Sequence, residues 1–189
     1  MRLVLASTSP RRLDLLRRIG AEPACVAAPD VDEDVRPGES PRAYVLRVAI
    51  AKAHAVERAA DELILAGDTT IAVGKRILGK PGDEADLRRM LGLLSGRRHH
   101  CLSAICLIGA DGKARTRISD TIVAFKRLTD AEIDWYVSSG EGMGKAGGYA
   151  IQGKAEAFVR YLAGSHSGVV GLPVFETRAL LESAGLSLG

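Results

Sequence analysis

The opening segment RLVLASTSPRRLDLLRRIG (2–20) constrains the fold more than any other stretch. RLVLA (2–6) is too short for a helix and reads as a buried strand. Ser7, Thr8 and Ser9 lead into Pro10, which suits the first position of a helix because the N–H it lacks has no helical partner there. Leu13, Leu16 and Ile19 share one helical face, and Gly20 suits the stop. A buried strand feeding an amphipathic helix points to a sheet covered by helices.

The same alternation continues. ACVAA (24–28) reads as a second short strand, PDVDEDVRPGE (29–39) as an acidic loop, and PRAYVLRVAIAKAHAVERAA (41–60) as a long helix capped by Ser40. LILAGDTTIAVG (63–74) reads as a strand carrying Asp68, and Gly74-Lys75 turns the chain into RIL. The loop GKPGD (79–83) precedes a helix at about 83–94 that stops at Ser95-Gly96. Residues 99–109 and 114–128 read as a hairpin joined by Asp111-Gly112, and Thr129 caps a short helix, DAEIDWYVSSG. A glycine-rich segment (140–153), SHSGVVGLP (165–173) and a last amphipathic helix (173–184) complete the chain. The expected fold is α/β, with a mixed sheet flanked by helices and one domain over 1–189.

Bulk properties narrow the classes. With 47% hydrophobic and 26% charged residues, the chain can bury a core and shows no signature of disorder. A net charge of +3 is too small and too dispersed to argue for a nucleic acid polymer. Cys25, Cys101 and Cys106 form no CxxC pair, and the odd spacing of the last two puts them on opposite faces of a strand. Reduced thiols, no signal-peptide pattern and no membrane-length apolar run predict a soluble cytoplasmic protein.

Several residues could carry chemistry. Arg11 and Arg12 sit at a helix start, where the dipole disfavours positive charge. An anion would relieve that conflict, whereas the plain alternative is a capped helix with a solvated first turn. Asp68 sits beside a glycine on an apolar strand, as a site carboxylate or a turn cap. Asp32, Glu33 and Asp34 offer hard oxygen donors for a divalent ion, or merely a solvated acidic loop. Lys52 lies among small apolar residues and could snorkel from a buried face. Lys80 and Lys145 lie in glycine-rich loops, yet neither GxxxxGK[ST] nor GxGxxG is present. GxSxG is absent too, so acyl transfer ranks low. His99 and His100 would face opposite ways on a strand, and Trp135 and Tyr136 read as helix packing.

Together these residues suit a polyphosphate ligand with a bound cation. The segments LASTSPRRLDLL, VDE, AKA, GDT, GKP, LSGRRHH, GKAGGYAIQG and GVVGLPVFET resemble the Maf family of nucleoside triphosphate pyrophosphatases, in order and from residue 3 to about 181. The resemblance implies an elongated, two-lobed fold with a twisted mixed sheet and a central cleft, similar to inosine triphosphate pyrophosphatase. It implies hydrolysis of a nucleoside triphosphate to the monophosphate and pyrophosphate with Mg²⁺ or Mn²⁺.

Carried over residue by residue, the catalytic acid falls on Asp68 and the specificity positions on Arg11, Thr69 and Gln152. Ser7, Arg12, Lys52, Lys80 and Lys145 fall on phosphate-binding positions, and Glu33 joins Asp68 as a metal ligand. Arg11, Thr69 and Gln152 together resemble the branch that acts on dTTP and UTP. The alternatives are a 7-methyl-GTP-type pyrophosphatase and a nucleotide-binding regulator of cell division with little turnover. Gly67, Ser103 and Ala150 depart from the usual alanine, threonine and glycine, and none of these departures removes a charge. Family members are often homodimers. Charge and apolar run length lead to the expectation of neither a membrane nor a nucleic acid polymer as partner.

Overall fold

A computed structural model describes residues 1–188. The strands are β1 (Arg2–Ala6), β2 (Cys25–Ala27), β3 (Glu62–Val73), β4 (Arg76–Leu78), β5 (Arg98–Ile108), β6 (Ala114–Phe125) and β7 (Val159–Ala163). The helices are α1 (Pro10–Arg18), α2 (Pro41–His54), α3 (Glu84–Leu94), α4 (Asp130–Ser138), α5 (His166–Val170) and α6 (Val174–Ser183). The strands form one mixed sheet in the order β2-β1-β3-β5-β6-β7, with β4 paired to β3. β1 runs parallel to β2 and β3, while β3, β5, β6 and β7 run antiparallel in turn. Among the described residues no helix is long and apolar enough to cross a membrane.

β3 organises the molecule because it is longer than the partners on one of its edges. β1 pairs with residues 62–66 and β4 with residues 71–73, so Gly67, Asp68, Thr69 and Thr70 have no strand on that side. The chain leaves β1 at Ser7, at the carboxyl end of a parallel pair, where open α/β sheets place their ligand sites. The other edge of β3 stays paired with β5 from Ile64 to Ala72. The unpaired stretch therefore belongs to a rigid strand.

Strand periodicity divides the core. Leu63 and Leu65 pack with Leu3, Leu5, Leu16 and Leu180 on the face covered by α1 and α6. Ile64 and Ala66 pack on the opposite face with Val45, Ala49 and Ala53 of α2. A third cluster, built on Ile71, Leu87, Leu91, Phe125, Tyr136 and Phe158, lies toward α3 and α4. Cys101 belongs to this third cluster and Cys106 to the α2 side, as their five-residue spacing requires.

Two expectations about elements need correction. The helix expected over 41–60 ends at His54. Beyond it, Arg58 donates to the carbonyls of Ala59, Ala60, Glu62 and Ala110, and Ala59 N–H donates to the Glu62 carboxylate. These contacts hold a tight turn that returns the chain to β3, and they compete with further helix. β7 was not expected: it is a short edge strand, half open to solvent, with a bulge in its pairing at Ala124/Phe125. The sequence reading also passed over the short helix α5.

Candidate active site

A cleft of about 620 Å³ opens at the unpaired stretch of β3, within the size range of small-molecule sites. Ser7, Arg11, Arg12, Glu33, Lys52, Asp68, Thr69, Lys80, Lys145 and Gln152 all line it, as does Asp34, whereas Asp32 does not. They come from chain segments spread between residues 7 and 152, and the sheet's crossovers bring them together.

Asp68 and Thr69 are neighbours in sequence but project to opposite faces of β3. Asp68 turns to the α2 face, where Lys52 Nζ donates to its Oδ1 at 2.8 Å. Both side chains are under one-tenth exposed. The same ammonium lies 2.8 Å from Glu33 Oε1, so one cation joins a strand carboxylate to a loop carboxylate. Lys80, mostly exposed, reaches Glu33 Oε2 at 4.0 Å. Burial alone would raise the Glu33 pKa, but the Lys52 hydrogen bond and the charges of Lys52, Lys80 and Arg12 hold it below the usual value.

The loop that carries Glu33 is pinned by α2. Tyr44 Oη donates to the Glu33 carbonyl at 3.0 Å, and Arg47 donates to the Asp34 carbonyl at 2.8 Å. Arg47 is itself anchored on Glu39 at 2.7 Å. Tyr44, Val48 and Lys52 recur every fourth residue, so one helical stripe holds the loop and also supplies the bridging ammonium. Tyr44 and Arg47 were missed by sequence reasoning. The four-residue steps from Tyr44 to Lys52 were the signal available; Arg47 lies off that stripe.

Thr69 turns to the other face, toward α1. Its register partner on β5 is Ser103, and their hydroxyls lie 3.0 Å apart. Arg12 threads between elements: Nε donates to the Gly171 carbonyl at 2.8 Å, Nη1 to Ser7 Oγ at 3.1 Å and Nη2 to Thr69 Oγ1 at 3.4 Å. Burial pushes the Arg12 pKa down, Asp68 and Glu33 pull it up, and Arg11 pushes it down again. An arginine stays charged regardless. Ser9, at the N-cap of α1, makes no side-chain capping bond, whereas Ser40, Asp83 and Thr129 cap their helices. The first turn of α1 also holds no acidic residue. The start of α1 and its two arginines thus line the cleft with no acidic side chain of that turn to offset them.

The remaining wall is glycine-rich. Gly147 N–H donates to the Gly79 carbonyl at 2.9 Å, which ties the loop of Lys80 to the loop of Lys145. Gly147 adopts φ 68°, and a Cβ there would stand 2.6 Å from Ile71 Cγ1, so a side chain is excluded. Burial and the neighbouring charge of Arg11 lower the Lys145 pKa, although Glu141 opposes this. Gln152 is exposed at the rim.

Glu33 and Asp68 present hard oxygens to the same ammonium, yet no group of three or more His, Cys, Asp or Glu residues converges among the described residues. Two carboxylates completed by phosphate oxygens and water are how Mg²⁺ is held in nucleotide sites, so the residues fit a cation that arrives with its substrate.

The Maf-like protein family pattern matches residues 2–184. The chain belongs to the Maf family. It is 71% identical over 187 residues to a dTTP/UTP pyrophosphatase of Sphingopyxis alaskensis, covering 99% of this chain and 98% of that protein. A dTTP/UTP pyrophosphatase of Novosphingobium aromaticivorans is 56% identical, covering 98% and 93%. Among solved structures, a Ham1 protein of Staphylococcus aureus overlaps 66% of this chain and 72% of its own, with a TM-score of 0.44 and 17% identity.

Proposed function

We propose that this Maf chain, acting as one domain, hydrolyses a pyrimidine nucleoside triphosphate, dTTP or UTP, to the monophosphate and pyrophosphate. The observation that carries the reading is the Glu33–Lys52–Asp68 bridge, with both contacts at 2.8 Å, in a cleft lined by Arg11, Arg12, Lys80 and Lys145. Five cations facing three carboxylates suit a ligand rich in negative charge. The names of the relatives at 71% and 56% identity supply the base preference.

The residues divide the work. Arg12 and Ser7, with the start of α1, hold phosphate oxygens, and Lys80 and Lys145 close on them from the glycine-rich loops. Lys52 bridges Glu33 and Asp68 and holds the two carboxylates close together. Asp68 takes the proton of the attacking water or orients it, and among the described residues only Lys52 hydrogen-bonds its carboxylate. Mg²⁺ or Mn²⁺, held by Glu33 and Asp68, would neutralise phosphate charge and polarise a phosphoryl oxygen. Arg11 and Gln152 would meet the base and pair with its imide and carbonyl groups.

The test is a pyrophosphate-release screen over normal and modified nucleotides with and without Mg²⁺, using Asp68→Asn as control. Asp68→Asn should lower kcat by about 10²- to 10⁴-fold, the usual range for a general base, while nucleotide binding persists. Preference for 7-methyl-GTP over UTP would refute the substrate assignment. Turnover unchanged in Asp68→Asn would refute the role of that carboxylate.

A further inference from the structure

We infer that Ser103 is a positioning residue that acts through Thr69 to aim the Arg12 guanidinium at the phosphates. The inference deepens the hydrolase reading above and rests on it. It starts from the company that Arg12 keeps. Among the described residues no carboxylate lies within salt-bridge range of it. Its three donor directions end on neutral oxygens, at 2.8 Å on Gly171, 3.1 Å on Ser7 and 3.4 Å on Thr69. Neutral acceptors orient a cation without cancelling it, so the charge stays available to an anion.

The Thr69 contact is the longest of the three, and it has support behind it. Ser103 is buried at 1% exposure and leaves β5 directly opposite Thr69, on the same face. Its Oγ lies 3.0 Å from Thr69 Oγ1 and 3.5 Å from the Asp68 carbonyl. Thr69 Oγ1 also lies 3.4 Å from the Gly171 carbonyl, the oxygen that already receives Arg12 Nε.

Counting hydrogens decides what Thr69 can do. Arg12 donates to Thr69, which leaves Thr69 one proton to place. If that proton goes to Gly171, Ser103 donates to Thr69. If it goes to Ser103, Ser103 turns its own proton to the Asp68 carbonyl. Both arrangements satisfy Thr69 inside the protein, with its proton given to Gly171 or to Ser103. Thr69 therefore bears on the ligand through where it holds Arg12, and Ser103 sets the rotamer of Thr69 from behind.

The test compares Ser103→Thr with Ser103→Val, two side chains of the same shape, of which only threonine keeps the hydroxyl. Ser103→Ala serves if valine does not fold. Inorganic tripolyphosphate, titrated by calorimetry, probes the phosphate site without any turnover. Ser103→Thr should bind it within about 2-fold of the parent, and Ser103→Val about 3- to 10-fold more weakly, the scale of one hydrogen bond. With UTP the loss should fall on KM and leave kcat nearly unchanged.

In a Thr69→Val background, Ser103→Val should have no further effect, because the relay is already cut. Equal tripolyphosphate binding in Ser103→Val and the parent would overturn the inference, and so would effects of the two valines that simply add. If the parent hydrolyses no nucleoside triphosphate, the hydrolase reading fails, and the threonine–valine difference on tripolyphosphate still decides the role of Ser103.

Discussion

Acid should destabilise this protein through one histidine, in a pH window well above that of its most depressed carboxylates. His99 on β5 points into the third core cluster, with the Phe125 ring 5.1 Å away and the Tyr149 ring 5.5 Å away. Its Nε2 lies 2.9 Å from Tyr149 Oη, while its Nδ1 is buried with no partner. Charging the ring puts a second N–H on an atom that has no acceptor. Burial, helped by the charge of His100, pushes the His99 pKa from 6.5 down to about 4.

The sign follows from proton counting. Above pH 6.5 neither state binds the proton and His99 contributes no pH dependence. Between pH 6.5 and about 4 only the unfolded chain binds it, so stability falls as pH falls. Below pH 4 both states bind it and the loss levels off. One pKa unit corresponds to about 1.4 kcal/mol, so the loss should reach about 2 kcal/mol at pH 5 and about 3 kcal/mol at pH 4.

Urea unfolding at pH 7.5, 6 and 5 of the parent and of His99→Gln measures it. The glutamine does not titrate, so the parent should lose about 2 kcal/mol more than the variant between pH 7.5 and 5. Glu39 and Asp111, each held near a pKa of about 2 by arginine partners, titrate lower and are common to both proteins. Equal losses in the two proteins would refute the reasoning.

Two further outcomes follow from the cleft. Gly171→Ala forces a side chain onto φ 140°, although its Cβ would meet Arg12 only at ordinary contact distances of 3.7–3.8 Å; the strain should cost about 1–3 kcal/mol in urea unfolding and raise KM as the Arg12 acceptor moves. Arg11→Trp should lower kcat/KM for UTP and dTTP far more than it shifts unfolding, which should stay within about 0.5 kcal/mol for a site outside the core; unchanged selectivity over other nucleotides would argue against a base contact.

The elements that were legible in the sequence are those with a strong period and clear punctuation. β1 and α1 begin and end where the apolar run, Pro10 and Gly20 put them, and α4 starts at a full capping box on Thr129 and Glu132. His99 and His100 face opposite ways, one buried and one exposed, as strand alternation requires. The end of α2 was not legible, because the contacts that stop it come partly from Ala110 across the molecule. β7 was hidden because an edge strand half open to water needs no strict alternation.

The candidate residues could be named from motifs, but not their partners. Lys52 was expected at a phosphate-binding position, with snorkelling as the plain alternative, and its contacts make it the buried link between Glu33 and Asp68. Ser103 drew notice only as a departure from threonine and lies directly behind Thr69. Gly171, inside a recognised motif, supplies a carbonyl to Arg12 across 159 residues of chain.

The sequence by itself determined the local conformations, the alternation that makes an α/β sheet, and the family resemblance with its charged inventory. Those properties depend on side-chain size, period and capping within a few residues of each other. Only the tertiary structure decided that β3 outruns β1 on one edge, that Asp68 and Thr69 serve opposite faces of the same strand, and that Arg12 ends on three neutral oxygens. These are facts about pairing register and helix placement. They arise from burying the core clusters on both faces of one sheet, which no local stretch of chain encodes.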